Sequence, residues 1–224
     1  MTPPPNPTTA PAKPSEQPPA EFFGTTVPRQ FHAGVEKVEK LIQVLQTSLD
    51  TMRAVEMTVQ VQITGESGGT WNLNVRDGQM VVSDTPVHEP IVTVVQEIGD
   101  WRKAMRVIGD KMGQVALLGG GLSAGAAGSA QPLTKSKVEK LKTLAGTIQF
   151  VMTGGAEGDW AITVKFGTTP MPAQPHATVS FAEDDYKKIV KGELNPQAAF
   201  MGGKMKIVGD MAVVMQVGLL LMAG

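Results

Sequence analysis

Few residues in this chain could do chemistry, and their spacing favours structural roles. Three adjacent carboxylates, Glu183, Asp184 and Asp185, could in principle act as a general acid and base. They stand just before a predicted helix, where acidic side chains cap free amides and interact favourably with the helix dipole. We therefore expect these residues to stabilise a helix start.

Nucleophilic and metal chemistry have no matching pattern in the sequence. The chain contains no Cys and no Gly-x-Ser-x-Gly elbow, and Ser67 lies in an apparent hairpin turn. The histidines, His32, His88 and His176, do not have a metal-ligand spacing. The sequence therefore predicts no catalytic residue and no metal site, and it favours a protein that is not an enzyme.

Cofactor and nucleic-acid binding are also disfavoured. Residues 119–124 have the permissive form of a dinucleotide loop, but more Gly and Ala and a lysine-rich helix follow them, not a βαβ unit with a ribose-binding acid. A formal net charge of −1 argues against a binder of phosphate backbones. We predict no cofactor and no nucleic-acid partner, and we expect Trp71 and Trp160 to be core or pocket-edge residues.

The C-terminal half instead carries many apolar and adaptable side chains. The chain has 13 methionines, concentrated towards its C-terminus, and unbranched methionine adapts to irregular partners. A structural core would use the same residue types, but the ensemble favours a pocket for a flexible hydrophobic guest. The predicted ligand-binding residues are Phe150, Met152, Val179, Phe181, Tyr186, Ile189, Phe200, Met201, Met205, Ile207, Met211, Met215 and Leu219.

Clear start and stop signals organise the C-terminal elements that would position these residues. Asn195 followed by Pro196 predicts a helix start, and Gly202 and Gly203 end that helix. Residues 204–208 alternate like a half-buried strand. Asp210 can then cap a terminal helix over 211–222, whose apolar run is too short to span a bilayer.

An order of elements occurs twice along the chain. Apolar spacing predicts a helix from Phe31 to about Met52 and strands over 57–63, 71–75, 79–83 and 90–95, followed by a helix over 99–108. A similar order recurs 85 to 89 residues later, with a helix over 135–144, strands over 147–153, 160–165 and 177–181, and Trp160 matching Trp71. Two tandem units are the simplest interpretation.

The C-terminal pattern resembles the SCP2-type (sterol carrier protein 2) lipid-binding family. The resemblance rests on Asn195-Pro196-Gln197, the strand around Lys204-Met205-Lys206-Ile207, and Gly209-Asp210-Met211. It covers residues 132–224 well and residues 31–128 more weakly. It implies an α/β (α+β) fold with a mostly antiparallel, twisted sheet covered by helices on one face. It also implies a tunnel that holds a fatty acyl chain, sterol or isoprenoid.

We therefore predict a disordered Pro-rich tail over 1–30, a degenerate SCP2-like unit over 31–128 and an SCP2-like lipid-binding domain over 132–224. The predicted function is non-catalytic binding or transfer of a hydrophobic ligand in the cytoplasm. The alternative is an accessory subunit that uses its groove to bind a partner protein or to dimerise. Transient membrane contact, for which Lys135, Lys137, Lys140 and Lys142 offer a basic helix face, and a homodimer are compatible with both.

Overall fold

The computed structural model describes residues 18–109 and 134–222. The greater part of the predicted tail, up to residue 17, and the glycine-rich residues 119–130 lie outside this range. The chain divides into two compact units, Met1–Leu49 and Asp50–Gly224, which are described separately. The first boundary therefore falls further along the chain than the predicted boundary at residue 30.

The first unit is helical where it is described. A short helix α1 (Pro19–Glu21) leads through a π-helical segment, Phe22–Thr26, into the long helix α2 (Val27–Arg53), whose last four residues belong to the second unit. Residues 19–30, which the sequence assigned to the tail, are thus helical, and the predicted tail is too long. Proline is compatible with this early start, because Pro19 lies in the first turn, where an amide has no intrahelical partner.

The second unit contains a single eight-stranded sheet among its described residues, in the order β3-β2-β1-β4-β6-β5-β7-β8. Its neighbours pair antiparallel except for the parallel pairs β1–β4 and β5–β7. The strands are β1 (Met57–Thr64), β2 (Gly69–Arg76), β3 (Gln79–Ser83), β4 (Val92–Glu97), β5 (Gly146–Thr153), β6 (Trp160–Phe166), β7 (Ala177–Ala182) and β8 (Met205–Gly209).

Helices cover the apolar face of this sheet, as predicted. Their buried residues, among them Ala104, Val138, Tyr186 and Val217, join one hydrophobic core with the strands. The mixed α/β fold with a mostly antiparallel sheet is therefore confirmed. The helices are α3 (Ile98–Ile108), α4 (Lys135–Thr143), α5 (Glu183–Lys191), α6 (Pro196–Met201) and α7 (Met211–Met222).

The opposite face of the sheet is polar and holds the connections between strands. Thr58 donates to Asn74, whose Oδ1 also accepts the amide of Val87, so the segment after β3 is tied to the sheet. Lys165 donates from Nζ to the carbonyls of Gly167 (3.0 Å) and Thr169 (2.8 Å), and burial lowers its pKa. The connections therefore lie on the polar face, whereas the helices and the candidate site lie on the apolar face.

The two halves of the sheet share one pairing register. Val59 pairs with Val92 between β1 and β4, and 89 and 85 residues later Ile148 pairs with Ala177 between β5 and β7. The following five pairs of each ladder match in the same way. This agreement supports the predicted tandem units, which stay a prediction.

The tryptophans, by contrast, are not equivalent in this register. Trp71 pairs with Val61, whereas Trp160 pairs with Met152, the counterpart of Ile63 rather than of Val61. The connection between β5 and β6 covers residues 154–159 and is two residues longer than residues 65–68 between β1 and β2. The predicted equivalence of the two residues is therefore wrong by two positions.

Candidate ligand-binding site

The floor of the candidate site is the apolar face of the C-terminal half of the sheet. Phe150 pairs with Val179 and Met152 pairs with Phe181 across the parallel β5–β7 ladder, so the four side chains form two adjacent rows. All four are buried, because alternation along each strand turns every second side chain towards the helices. The sequence prediction placed these residues together, and the structure does so too.

Helix α5 covers this floor with an aromatic cluster. The ring of Tyr186 lies 5.6 Å from that of Trp160 in an edge-to-face arrangement and 6.1 Å from that of Phe181. Ile189 follows one turn later and is fully buried. Burial raises the pKa of Tyr186, so the phenol stays neutral at physiological pH and the cluster carries no charge.

A buried carboxylate anchors the start of α5. Glu183 accepts a hydrogen bond from Trp160 Nε1 (2.9 Å) and pairs with Lys187 Nζ at 2.8 Å. The bond from Lys187 lowers the pKa of Glu183, with a further contribution from Trp160, and both outweigh the opposing effect of burial. This carboxylate thus fixes Trp160 and α5 to each other.

The expected capping role of the three carboxylates is wrong in its detail. They do lie in the first turn of α5, but no side chain caps that helix by a hydrogen bond. Glu183 binds Trp160 instead, and Asp185 accepts a 2.8 Å bond from Lys204. Asp184 lies on the exposed side, in range of Lys187 at 3.4 Å. These tertiary partners were not visible in the local sequence.

The terminal helix α7 forms one wall of the site and starts where the sequence predicts. Asp210 Oδ1 accepts the amides of Ala212 (2.9 Å) and Val213 (3.3 Å), which confirms the predicted cap. A Cβ built on Gly146 would lie 2.4 Å from Val213 Cγ1, so the helix lies directly against β5 at this glycine. With valine at position 213, only a residue without a side chain permits this approach.

Helix α7 is apolar on two sides. Its buried stripe consists of Val213, Val214, Val217 and Leu220. Met211, Met215 and Leu219 follow each other at four-residue intervals on the outer side, where they are 42%, 52% and 60% exposed. The three predicted site residues of this helix therefore lie on the stripe that faces away from the core. Because apolar residues other than Gln216 occur on both sides of the helix, periodicity could not identify the inward stripe.

The remaining predicted residues divide between core and surface. Met205 on β8 is buried and pairs with Phe181, and Ile207 is half-buried beside Val179. Phe200 and Met201 on α6 are exposed, although Asn195 caps that helix as predicted by accepting the amide of Gln197. Sequence reasoning omitted Ala199, the buried residue of α6, and the buried stripe of α7.

The site has an apolar character with no evident reaction centre. Within residues 18–109 and 134–222, no three or more acidic or histidine side chains lie close enough together to hold a metal ion. Across the same described stretches, no helix has the length and hydropathy needed to cross a membrane. The arrangement is suited to holding hydrophobic groups between a sheet and a helix.

Comparison with known proteins identifies the domain that carries this arrangement. Residues 128–222 match the SCP-2 sterol transfer family. The C-terminal part of the chain is therefore an SCP2 domain, and the family binds and transfers lipids. This confirms the resemblance inferred from the sequence for the C-terminal unit.

Several curated proteins are similar over a limited stretch. Hydroxysteroid dehydrogenase-like protein 2 of Xenopus tropicalis is 34% identical over 83 residues, which are 35% of this chain and 20% of that protein. Human sterol carrier protein 2 is 36% identical over 67 residues, which are 28% of this chain and 12% of the human protein. The matched stretch thus spans about a fifth or less of these relatives.

Solved structures give a weaker likeness. Sterol carrier protein 2 from Yarrowia lipolytica, in its apo form, is 21% identical with a TM-score of 0.30, covering 42% of this chain and 86% of that one. Sterol carrier protein 2-like 2 from Aedes aegypti is 19% identical with a TM-score of 0.32, covering 53% and 95%. At these scores the sequence match, not the overlay, carries the assignment.

Proposed function

We propose that the SCP2 domain binds one hydrophobic ligand, a fatty acyl chain, sterol or isoprenoid, between the sheet and α7, and releases it chemically unchanged. The observation that carries this proposal is the terminal helix. Its buried aliphatic side chains include Val213, which lies against β5 at Gly146. Its other side carries the exposed apolar residues Met211, Met215 and Leu219. A helix of this kind can exchange its contacts for those of a lipid.

The magnitudes favour reversible uptake. Burying an acyl chain gains about 0.8 kcal/mol per methylene, so a long chain gains on the order of 10 kcal/mol before association costs. Separating the buried stripe of α7 from the sheet exposes four aliphatic side chains, at about 1.5–3 kcal/mol each. The two quantities are of similar size, so a ligand can replace the helix contacts without being held irreversibly.

The same balance predicts broad ligand choice. Dispersion and hydrophobic burial are non-directional, and the methionines near the site adapt to different shapes. The side chains of the described site are predominantly apolar, which suits the binding of a hydrophobic ligand. The cytoplasmic location, transient membrane contact and the accessory-subunit alternative stay predictions.

A reversible lock on α7 tests the proposal. A Cβ on Gly146 would lie 3.5 Å from Val213 Cβ, within the range found in disulfides, so the double variant Gly146→Cys/Val213→Cys can cross-link β5 to α7. The wild-type chain has no cysteine to interfere. We expect the oxidised protein to take up a fluorescent fatty acid at least tenfold more slowly than the reduced protein.

The controls separate the lock from damage to the fold. The single variant Val213→Cys should be insensitive to reductant, and the double variant should have the same circular dichroism in both redox states. Mass spectrometry establishes that the disulfide has formed, and extraction of bound ligand shows whether it is recovered unchanged. Equal uptake by the oxidised and reduced forms would refute entry through movement of α7.

A further inference from the structure

Helix α2 carries a continuous stripe of exposed apolar side chains. Seven side chains, from Phe31 to Met52, stand on one side of this helix, and each of them is at least 41% exposed. A monomeric protein seldom leaves such a continuous stripe in water. The seven residues are Phe31, Val35, Val38, Ile42, Leu45, Leu49 and Met52; we call them the α2 seam.

The spacing of the α2 seam is that of a coiled coil. Its members follow one another in alternating steps of four and three residues without interruption. This is the heptad pattern, in which apolar residues recur every 3.5 residues on average and two helices supercoil so that the stripe stays in contact. Helices that pack on a globular core more often show the wider and less regular stripe of a 3.6-residue period.

We propose that two copies of this chain associate through their α2 seams to form a homodimer. In heptad terms Val35, Ile42 and Leu49 occupy one core position and the other four residues occupy the second. Val35 and Ile42 at the first position are β-branched and Leu45 is at the second, which is the combination that favours two strands, whereas Leu49 at the first position and Phe31, Val38 and Met52 at the second depart from it. The dimer lies outside the SCP2 domain and does not depend on the proposed ligand.

The flanks of the α2 seam do not oppose this pairing. The positions beside it hold His32, Gly34, Glu39, Leu41, Gln46, Ser48 and Arg53, so with neutral histidine only Glu39 and Arg53 are charged, with opposite signs. Like charges that would separate two copies are therefore few. The charged residues Glu36, Lys37, Lys40 and Asp50 lie on the outer side, where a coiled coil remains in water.

The size of the surface also suits a dimer. The seam covers 22 residues of helix, from Phe31 to Met52, and such a helix is about 33 Å long. A strip of that length on two helices buries on the order of 1,000 Å² in total, at the lower limit for a specific interface. A lipid surface is a less suitable partner, because helices that lie on membranes are rich in Lys and Arg. Between Val27 and Arg53, four basic residues are balanced by three acidic ones.

Two adjacent residues provide a matched test. Leu45 is in the seam and Val44 is outside it, and both are 61% exposed, so glutamate at either position disturbs a monomer to a similar extent. Sedimentation velocity of the full chain over a range of concentrations should show a dimer for the wild type. Leu45→Glu should weaken the dimer at least 100-fold, whereas Val44→Glu should change it less than threefold.

Other outcomes would overturn the proposal. A wild-type protein that is monomeric at every concentration, or equal effects of the two glutamates, would exclude pairing through the seam. The wild-type protein could instead be monomeric and sediment with phosphatidylcholine vesicles. If Leu45→Glu abolishes that sedimentation and Val44→Glu does not, the seam binds a lipid surface and not a second copy of the chain. Leu45→Ala, which preserves helix propensity, should weaken the dimer at least tenfold and guards against misfolding of the glutamate variant.

Discussion

The hydrogen bond between Trp160 and Glu183 provides the sharpest test of how α5 is held in place. Substitution of Glu183 by Ala removes the acceptor of a buried indole N–H, since Trp160 is 2% exposed. An unsatisfied buried donor costs about 1–3 kcal/mol. The lost pairing with Lys187 adds little, less than about 1 kcal/mol, because the lysine side chain is 39% exposed and its charge is screened.

We therefore expect Glu183→Ala to lower the free energy of unfolding by about 2–3 kcal/mol and Tm by about 5–10 °C. Glu183→Gln has nearly the same shape and keeps a carbonyl that can accept from Trp160. It should therefore cost about 1 kcal/mol or less. Urea unfolding followed by far-ultraviolet circular dichroism measures both variants without relying on Trp160 as the probe.

The pH dependence distinguishes the charge from the hydrogen bond. Because the pKa of Glu183 is lowered in the folded protein, its ionised form contributes stability above the unfolded pKa of about 4.3, and that contribution is lost as pH falls through the folded pKa. The difference between wild type and Glu183→Gln should thus be full at neutral pH and vanish in acid. The reasoning fails if Glu183→Gln is as unstable as Glu183→Ala, or if the difference between Glu183→Gln and wild type persists in acid.

Two further predictions test the site and the sheet. Phe150→Ala should lower the free energy of unfolding by about 3–5 kcal/mol because Phe150 is buried. Phe200→Ala should lower it by less than about 1 kcal/mol because Phe200 is 42% exposed. Urea unfolding measures both variants, and equal losses of stability would contradict the assigned burial. A fragment that begins at residue 132 lacks β4, so the edge of β6 is left unpaired. Light scattering should therefore show self-association of this fragment and none of Asp50–Gly224. A monodisperse 132–224 fragment would contradict this prediction.

Local sequence signals predicted most of the elements. Asn195 and Asp210 cap the helices that they were expected to cap, and the Asp77-Gly78 turn has both residues at positive φ, at 52° and 72°. Strand β3 has the predicted bounds. These features depend on interactions within a few residues, which a single sequence contains. Strand β4 both begins and ends two residues after its predicted bounds, and Pro90, which cannot donate to a ladder, lies outside the strand.

The tertiary choices were not accessible in the same way. The sequence could not show that Glu183 reaches Trp160, 23 residues away, or that the valines and Leu220 of α7 are buried while Met211 and Met215 are exposed. The two-residue offset of the tryptophans depends on a turn whose length only the pairing reveals. In each case the local pattern allowed two orientations, and packing decided between them.

The pairing of β4 with β6 explains why the two halves of the sheet differ at their edges. In the first half of the sheet, β3 pairs with the outer edge of β2, but no described strand of that half pairs with the far edge of β4. In the second half, β8 pairs with the outer edge of β7. Residues 167–176, which connect β6 to β7, form no strand that could pair with the far edge of β6. Antiparallel pairing of Val94 with Val164 joins the two edges left open. Each half therefore covers the edge of the other, and the sheet has no unpaired edge between them.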